Sequence, residues 1–186
     1  MRFRPGLEFD EVLDAARRGD PLAYRDLYDA LAGRVCGYLT VHGASDPEDL
    51  TSEVFLRAFR RIATFAGSEP QFRAWLFTIT HNLLVDDRRR RRVRVTTREL
   101  DDATFDHVAA GDVEEEAIDH LQADWVSDAL SQLSPDQRSV LTLRIVGDLS
   151  VEQVALITGK AASAVKALQR RGLATLRRHM EGTVTR

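Results

Sequence analysis

The sequence predicts an all-α chain of two small helical domains joined by an acidic flexible linker, and three observations lead there. No segment alternates apolar and polar residues at period two over six or more positions, so strands are not expected. Apolar residues instead recur at three- and four-residue spacing, in blocks bounded by capping residues and glycines. Charge also changes sign along the chain. Between Arg57 and Arg98 eleven arginines face only Glu69, Asp86 and Asp87, whereas between Val93 and His120 two arginines face nine acidic residues. That asymmetry sets two basic surfaces on either side of an acidic connector. The expected division is 1–95 for the front domain, 96–116 for a linker without a core of its own, and 117–186 for the rear domain.

A first helix covers Phe9 to Arg18 and stops at Gly19. Pro21 suits the first turn of a longer helix reaching about Val41, weakly interrupted by Gly33 and Gly37. Gly43 breaks the pattern. Ser45 or Asp46 caps a third helix with Pro47 just inside it, and DLTSEVFLRAFRRIATF carries that helix to Phe65. The loop AGSEP separates it from a fourth helix starting near Gln71. At roughly 100° per residue, Phe72, Leu76, Ile79 and Leu83 share one side of this helix. Trp75 and Asn82 lie together on its rim, with Thr78 and Arg89 beyond them. Periodicity lapses from Val93 to about Glu116 and resumes near Glu114 with Ile118, Leu121, Trp125, Val126 and Leu130. Ser134-Pro135-Asp136-Gln137 is a further capped start, for a helix that Gly147 ends.

Ser150 to Arg178 has the pattern of a helix-turn-helix. Ser150 and Gln153 form a capping box for its first helix, and Gly159 supplies the turn. On the second helix Val165, Leu168, Gly172 and Leu176 form a seam suited to burial. Ser163, Lys166, Ala167, Arg170 and Ala174 share the opposite side, with Arg171 at its edge. No acidic residue occurs from Lys160 to Met180, which suits entry into a major groove lined by phosphates. Lysine occurs only at 160 and 166, so the cationic groups are almost all arginines, which fork onto phosphates and base edges.

Several function classes fall away. The five histidines are scattered, no His-x-x-x-His or Cys-x-x-Cys spacing occurs, and there is neither a Gly-rich phosphate loop nor a G-x-S-x-G. Asp86-Asp87 and Glu114-Glu115-Glu116 point apart on a helix and read as solvated acids. No enzyme activity, cofactor or metal is expected. Cys36, the single cysteine, sits among Val35, Tyr38 and Leu39 and reads as a structural thiol; no intrachain disulfide is possible. No apolar run approaches the roughly 18 residues of a membrane span, and MRFRPGLEFDE has no hydrophobic signal core, so a cytoplasmic location without membrane insertion is expected.

Two features admit alternatives. The run Arg88–Arg92, followed by Arg94, either meets the negative end of its helix dipole or binds phosphate. Phosphate is preferred, because the same helix carries the polar rim. Phe65 beside AGSEP either accepts an unstacked base on its ring or ends the core of its helix.

Three blocks together resemble the group IV, or extracytoplasmic-function, sigma factors of bacterial RNA polymerase. DPEDLTSEVFLRAF (Asp46 to Phe59) is similar to the family's core-binding helix. FAGSEPQFRAWLFTITHNLLVDDRRRR (Phe65 to Arg91) resembles its −10 segment, and LSPDQRSVLTLRIVGDLSVEQVALITGKAASAVKALQRR (Leu133 to Arg171) its −35 reader. The resemblance spans about Gly19 to Arg98 and Trp125 to His179. It implies a promoter-specificity subunit. Asp46, Asp49, Leu50, Glu53, Phe55 and Arg57 would face the clamp helices of the β′ subunit. Phe65, Asn82, Arg88 and Arg89 would serve the −10 element, and Ser163, Lys166, Ala167, Arg170 and Arg171 the −35 element. The implied partners are core RNA polymerase (β′ clamp helices and β flap), promoter DNA and an anti-sigma factor. Ser52, Thr80 and Leu168 depart from the family's usual Gln, Ala and Arg. The rival is a stand-alone helix-turn-helix regulator that needs no polymerase; it gives no reason for an acidic face between Asp46 and Phe59.

Overall fold

The computed structural model describes residue 3 and residues 8–98 and 128–184. Helix α1, Phe9–Arg17, opens with a capping box between Glu8 and Glu11. After Gly19, whose φ is +84°, Asp20 accepts the Leu22 N–H at 2.9 Å and starts α2, Pro21–Val41. A turn at Gly43 (φ +65°) leads to α3, Pro47–Phe59, capped by Asp46, whose Oδ1 accepts the Asp49 N–H at 2.9 Å.

Helix α3 stops six residues short of the expected Phe65. A 3-10 turn, Ile62–Thr64, follows instead. β-Branched Ile62 and Thr64 hold an α-helix weakly, and Thr64 Oγ1 donates to the Arg61 carbonyl at 2.9 Å. The next helix, α4, spans Glu69–Arg98. It begins slightly earlier than expected, where the Ser68 N–H donates to Gln71 Oε1 at 2.8 Å. It also continues past Val93, where apolar periodicity lapses, to Arg98.

Helices α2, α3 and α4 pack side by side, and α1 lies across α2 and the 3-10 turn. Leu27, Leu31 and Val35 of α2 meet Val54 and Ala58 of α3 and Phe72 and Leu76 of α4 in one fully buried core. Each of the Leu, Val and Phe side chains stabilises by about 1.5–3 kcal/mol relative to exposure. Beyond the expected seam, α4 buries a second line, Phe77, Thr80, Leu84 and Asp87.

The rear half resumes with helical residues 128–131. Residues 96–98 of the expected connector continue α4; the rest of it, and the helix restart expected around Ile118, Leu121, Trp125 and Val126, lie outside the described residues. Helix α5, Pro135–Ile145, starts with the Ser134–Gln137 capping box, and α6, Val151–Thr158, with the Ser150–Gln153 box. Gly159 closes α6 in the left-handed conformation at φ +66°, which costs glycine nothing. Helix α7, Ala162–Val184, buries Val165 and Gly172 and half-buries Leu168 and Leu176. A Cβ on Gly172 would come within 2.8 Å of Leu141 Cδ1, so this glycine sets how closely α7 approaches α5.

The halves share a single apolar cluster, in which Val140, Leu143, Leu149, Val154 and Val165 join the front core, and α6 packs on α4. Among the described residues, polar links also cross the seam. His42 Nε2 lies 2.9 Å from Thr142 Oγ1, Arg73 pairs with Asp148 at 3.2 Å, and Gln153 Nε2 donates to the Pro70 carbonyl at 3.0 Å. Asp148 reaches Arg73 from a backbone at φ +51°, a conformation that Asp tolerates better than most residues.

Candidate nucleic-acid interface

Three surfaces carry the residues singled out in the sequence. On α3, Asp46, Asp49 and Arg57 are exposed, and Glu53 is half-buried and pairs with Arg57 at 2.6 Å. Leu50 and Phe55 face inward. The Phe55 ring lies 4.7 Å from Tyr28 and 5.6 Å from Phe59. The outer face thus combines acidic groups with Leu56, an exposed leucine that periodicity did not single out because it interrupts a polar flank.

On α4, Trp75, Thr78, Asn82, Val85 and Arg89 recur every three or four residues along one flank. Asn82, Val85 and Arg89 are exposed, and Trp75 and Thr78 are half-buried. At the head of this flank the Phe65 ring lies 5.0 Å from Trp75, tilted by 30°, and edge-on to Phe72 at 5.4 Å. Phe65 is neither a buried core residue nor a free ring. It is half-buried, on the rim of an aromatic platform.

The arginine run divides by face. Arg88 turns inward and donates to the His42 carbonyl at 2.6 Å, and Arg91 donates to the Gly43 carbonyl at 2.6 Å. Both tie α4 to the turn between α2 and α3. Asp87 joins them, accepting from Ser45 Oγ at 2.6 Å and pairing with Arg91 at 3.0 Å. Burial pushes the Asp87 carboxyl up, but the Ser45 hydrogen bonds, with Arg91 and Arg90, bring it below its ordinary value. Arg88 is lowered, chiefly by burial. Arg89, Arg90 and Arg92 remain on the exposed side.

Beside Arg88 lies a buried polar row. Tyr38 Oη is 2.9 Å from His81 Nδ1. Burial raises the Tyr38 phenol above its usual range. Burial, with Arg88 second, lowers His81. His42 is lowered to about 3, first by burial and then by Arg88, Arg138 and His81. Both imidazoles are therefore neutral near pH 7.

On α7, Ser163, Lys166, Arg170 and Arg171 are exposed and Ala167 is half-buried, all on the side away from Val165 and Gly172. The helix-turn-helix places them on an outer face of small and cationic groups of groove-entering type. Lys160, in the turn, is held by Asp136 at 2.8 Å. Among the described residues no cluster of three or more His, Cys, Asp or Glu side chains has metal-binding geometry. None of their helices is long and apolar enough to cross a membrane.

Two further contacts bear on these surfaces: Arg17 was not singled out, and Gln153 was read only as part of a helix cap. Arg17 and Gln153 bind the backbone at the two ends of the loop between Phe65 and Pro70. No local pattern marks these two contacts, since both reach carbonyls far away in the chain.

Comparison with known proteins decides the family. The model of sigma-70 region 2 matches residues 23–94, and that of sigma-70 region 4 matches residues 123–176. The ECF RNA polymerase sigma factor BldN of Streptomyces coelicolor is 38% identical over 184 residues, covering 94% of this chain and 69% of that protein. The chain belongs to the ECF sigma factors of RNA polymerase. SigX of Bacillus subtilis, another ECF RNA polymerase sigma factor, is 31% identical over 165 residues, covering 85% of this chain and 79% of its own. Among solved structures, CnrH in complex with the cytosolic domain of CnrY superposes with a TM-score of 0.64 at 22% identity, covering 92% of this chain and 96% of that one. That likeness concerns the fold. As an ECF sigma factor, the protein is a non-enzymatic initiation factor that directs transcription from promoters.

Proposed function

We propose a division of this role between the three surfaces. The outer face of α3, with Asp46, Asp49, Glu53, Leu56 and Arg57, docks on the β′ clamp helices of core polymerase, and Leu50 and Phe55 fix that helix from beneath. The flank of α4 takes the melted −10 strand. Phe65 and Trp75 offer ring faces to an unstacked base, Asn82 reads a base edge, and Arg89 meets phosphate. Arg88 holds the α2–α3 turn that supports this flank. The outer face of α7 reads the −35 duplex, with Lys166, Arg170 and Arg171 on phosphates and base edges and Ser163 and Ala167 permitting close approach.

The observation that carries this reading is the alignment of Asn82 with the Phe65–Trp75 platform on one exposed flank, since a groove-reading regulator has no use for a platform that stacks single bases. An anti-sigma factor belongs to the proposal as well. Exposed Leu56 and Leu156 offer apolar contacts to such a partner, and the CnrH structure contains the cytosolic domain of CnrY. The protein acts in the cytoplasm, with the polymerase.

The test is run-off transcription from a random promoter library with purified core enzyme and this chain as the only specificity factor. Discrete start sites with shared upstream elements support the reading. Sequence-specific duplex binding without any affinity for core would establish the stand-alone regulator instead.

A further inference from the structure

Helix α1 precedes the stretch matched by the region 2 model, yet it is built into the aromatic platform. Phe9 lies 5.7 Å from Phe72, which lies 5.6 Å from Trp75. In the last turn of α1, Arg17 Nε donates to the Phe65 carbonyl at 3.0 Å, and Arg17 Nη2 donates to the same oxygen. The remaining nitrogen, Nη1, is held by Asp14 Oδ1 at 2.8 Å. Two donors from one rigid guanidinium leave a carbonyl little freedom of direction. The N–H of Phe65 is also engaged, donating to the Ile62 carbonyl at 3.1 Å.

Downstream, the loop has little slack. Ser68 is fastened to Gln71, and a Cβ on Gly67 would lie 2.8 Å from Gln71 Oε1 and 3.1 Å from Phe65 Cζ. The direction of the Phe65 carbonyl therefore fixes where residues 66–68 run relative to the ring platform. We propose that Arg17, aligned by Asp14, is a positioning residue for capture of the −10 strand: it orders the Phe65 loop before DNA arrives, so that the ordering cost is not charged to binding. This inference rests on the reading of the Phe65 loop as the acceptor of an unstacked base. The bland alternative is that Arg17 only ties α1 to the bundle.

The two differ in what they disturb. The probe is a single-stranded oligonucleotide bearing 2-aminopurine within the −10 element of a promoter recovered by the run-off selection. Its affinity and fluorescence are compared for the full-length wild type, Arg17→Ala, Arg17→Lys and Phe65→Ala, alongside binding to core polymerase and to −35 duplex. Arg17→Ala is expected to lower strand affinity about tenfold and to abolish the fluorescence change, while core and duplex binding keep wild-type values. Arg17→Lys should recover part of the loss, because an ammonium still donates to the carbonyl. Wild-type strand affinity in Arg17→Ala overturns the proposal, as does an equal fall in all three binding measurements. Should Phe65→Ala retain full strand affinity, the base-acceptor reading itself fails and takes the Arg17 proposal with it.

Discussion

His42 at the end of α2 and Thr142 on α5 are hydrogen-bonded at 2.9 Å across a hundred positions of sequence. The direction of that bond follows from its neighbours. Arg88 can only donate, so the imidazole nitrogen facing it, Nδ1 at 3.4 Å, carries the lone pair. Nε2 therefore bears the proton and donates to Thr142 Oγ1, whose own hydrogen goes to the Arg138 carbonyl at 2.8 Å. A second proton on His42 would point at a guanidinium.

Stability should accordingly fall in mild acid. Unfolded, His42 takes its proton near 6.5; folded, it resists protonation until about 3, because of burial, Arg88, Arg138 and His81. Between those values the unfolded chain binds more protons, so the contribution is complete above pH 6.5 and is lost progressively as pH drops towards 3. His81, also lowered, acts in the same sense. Melting temperature measured by circular dichroism between pH 7.5 and 4 should decline less steeply in His42→Gln than in wild type. Parallel curves would show that this histidine is not responsible.

Asp148→Asn tests the second link across the seam. Asparagine tolerates the same left-handed backbone but leaves Arg73 with Glu69 as its remaining carboxylate partner. Because the Asp148 side chain is two-thirds exposed, the expected loss is modest, at most about 1 kcal/mol. Urea unfolding in low and high salt measures it, and salt should shrink the difference between variant and wild type.

Asn82→Ala should cut transcription from the cognate promoter roughly tenfold, the scale of one lost base contact. Asn82 is exposed and lies on α4, away from the outer face of α3, so affinity for core polymerase should be unchanged. Unaltered output in run-off assays would remove its assigned role.

Replacing both Arg170 and Arg171 by Ala should weaken −35 duplex binding and reduce the slope of log affinity against log salt by about 2, one unit per phosphate contact. An unchanged slope would place the phosphate contacts elsewhere on the helix-turn-helix.

The elements with chemical punctuation were legible in the sequence. Ser134 and Ser150 cap helices as read, Asp46 caps α3 out of the two candidates Ser45 and Asp46, Gly159 turns where a left-handed residue was needed, and α2 ends at Val41 as expected. What escaped was the result of contacts between distant segments. The second buried line of α4 hides in the sequence because Thr80 and Asp87 interrupt its apolar period. The inward turn of Arg88 and Arg91 could not be separated from that of their exposed neighbours, since a run of identical residues carries no phase. The arginine run is helical as read, but the end of α4 at Arg98 was not marked, because no sustained apolar period runs through its last residues.

Gln153 serves two masters. Its amide oxygen completes the cap of the helix-turn-helix at 2.7 Å while its amide nitrogen grips the Pro70 carbonyl. Elements about 25 base pairs apart lie roughly 85 Å apart on duplex DNA at ~3.4 Å per pair, whereas a globule of this length has a radius of gyration of about 16 Å. On the proposed assignment of the two surfaces, straddling both elements requires the halves to unclasp, and the Pro70 oxygen then passes to water. On the proposed reading, the Phe65–Pro70 loop then loses its tie to Gln153 and keeps the one from Arg17 of the N-terminal helix.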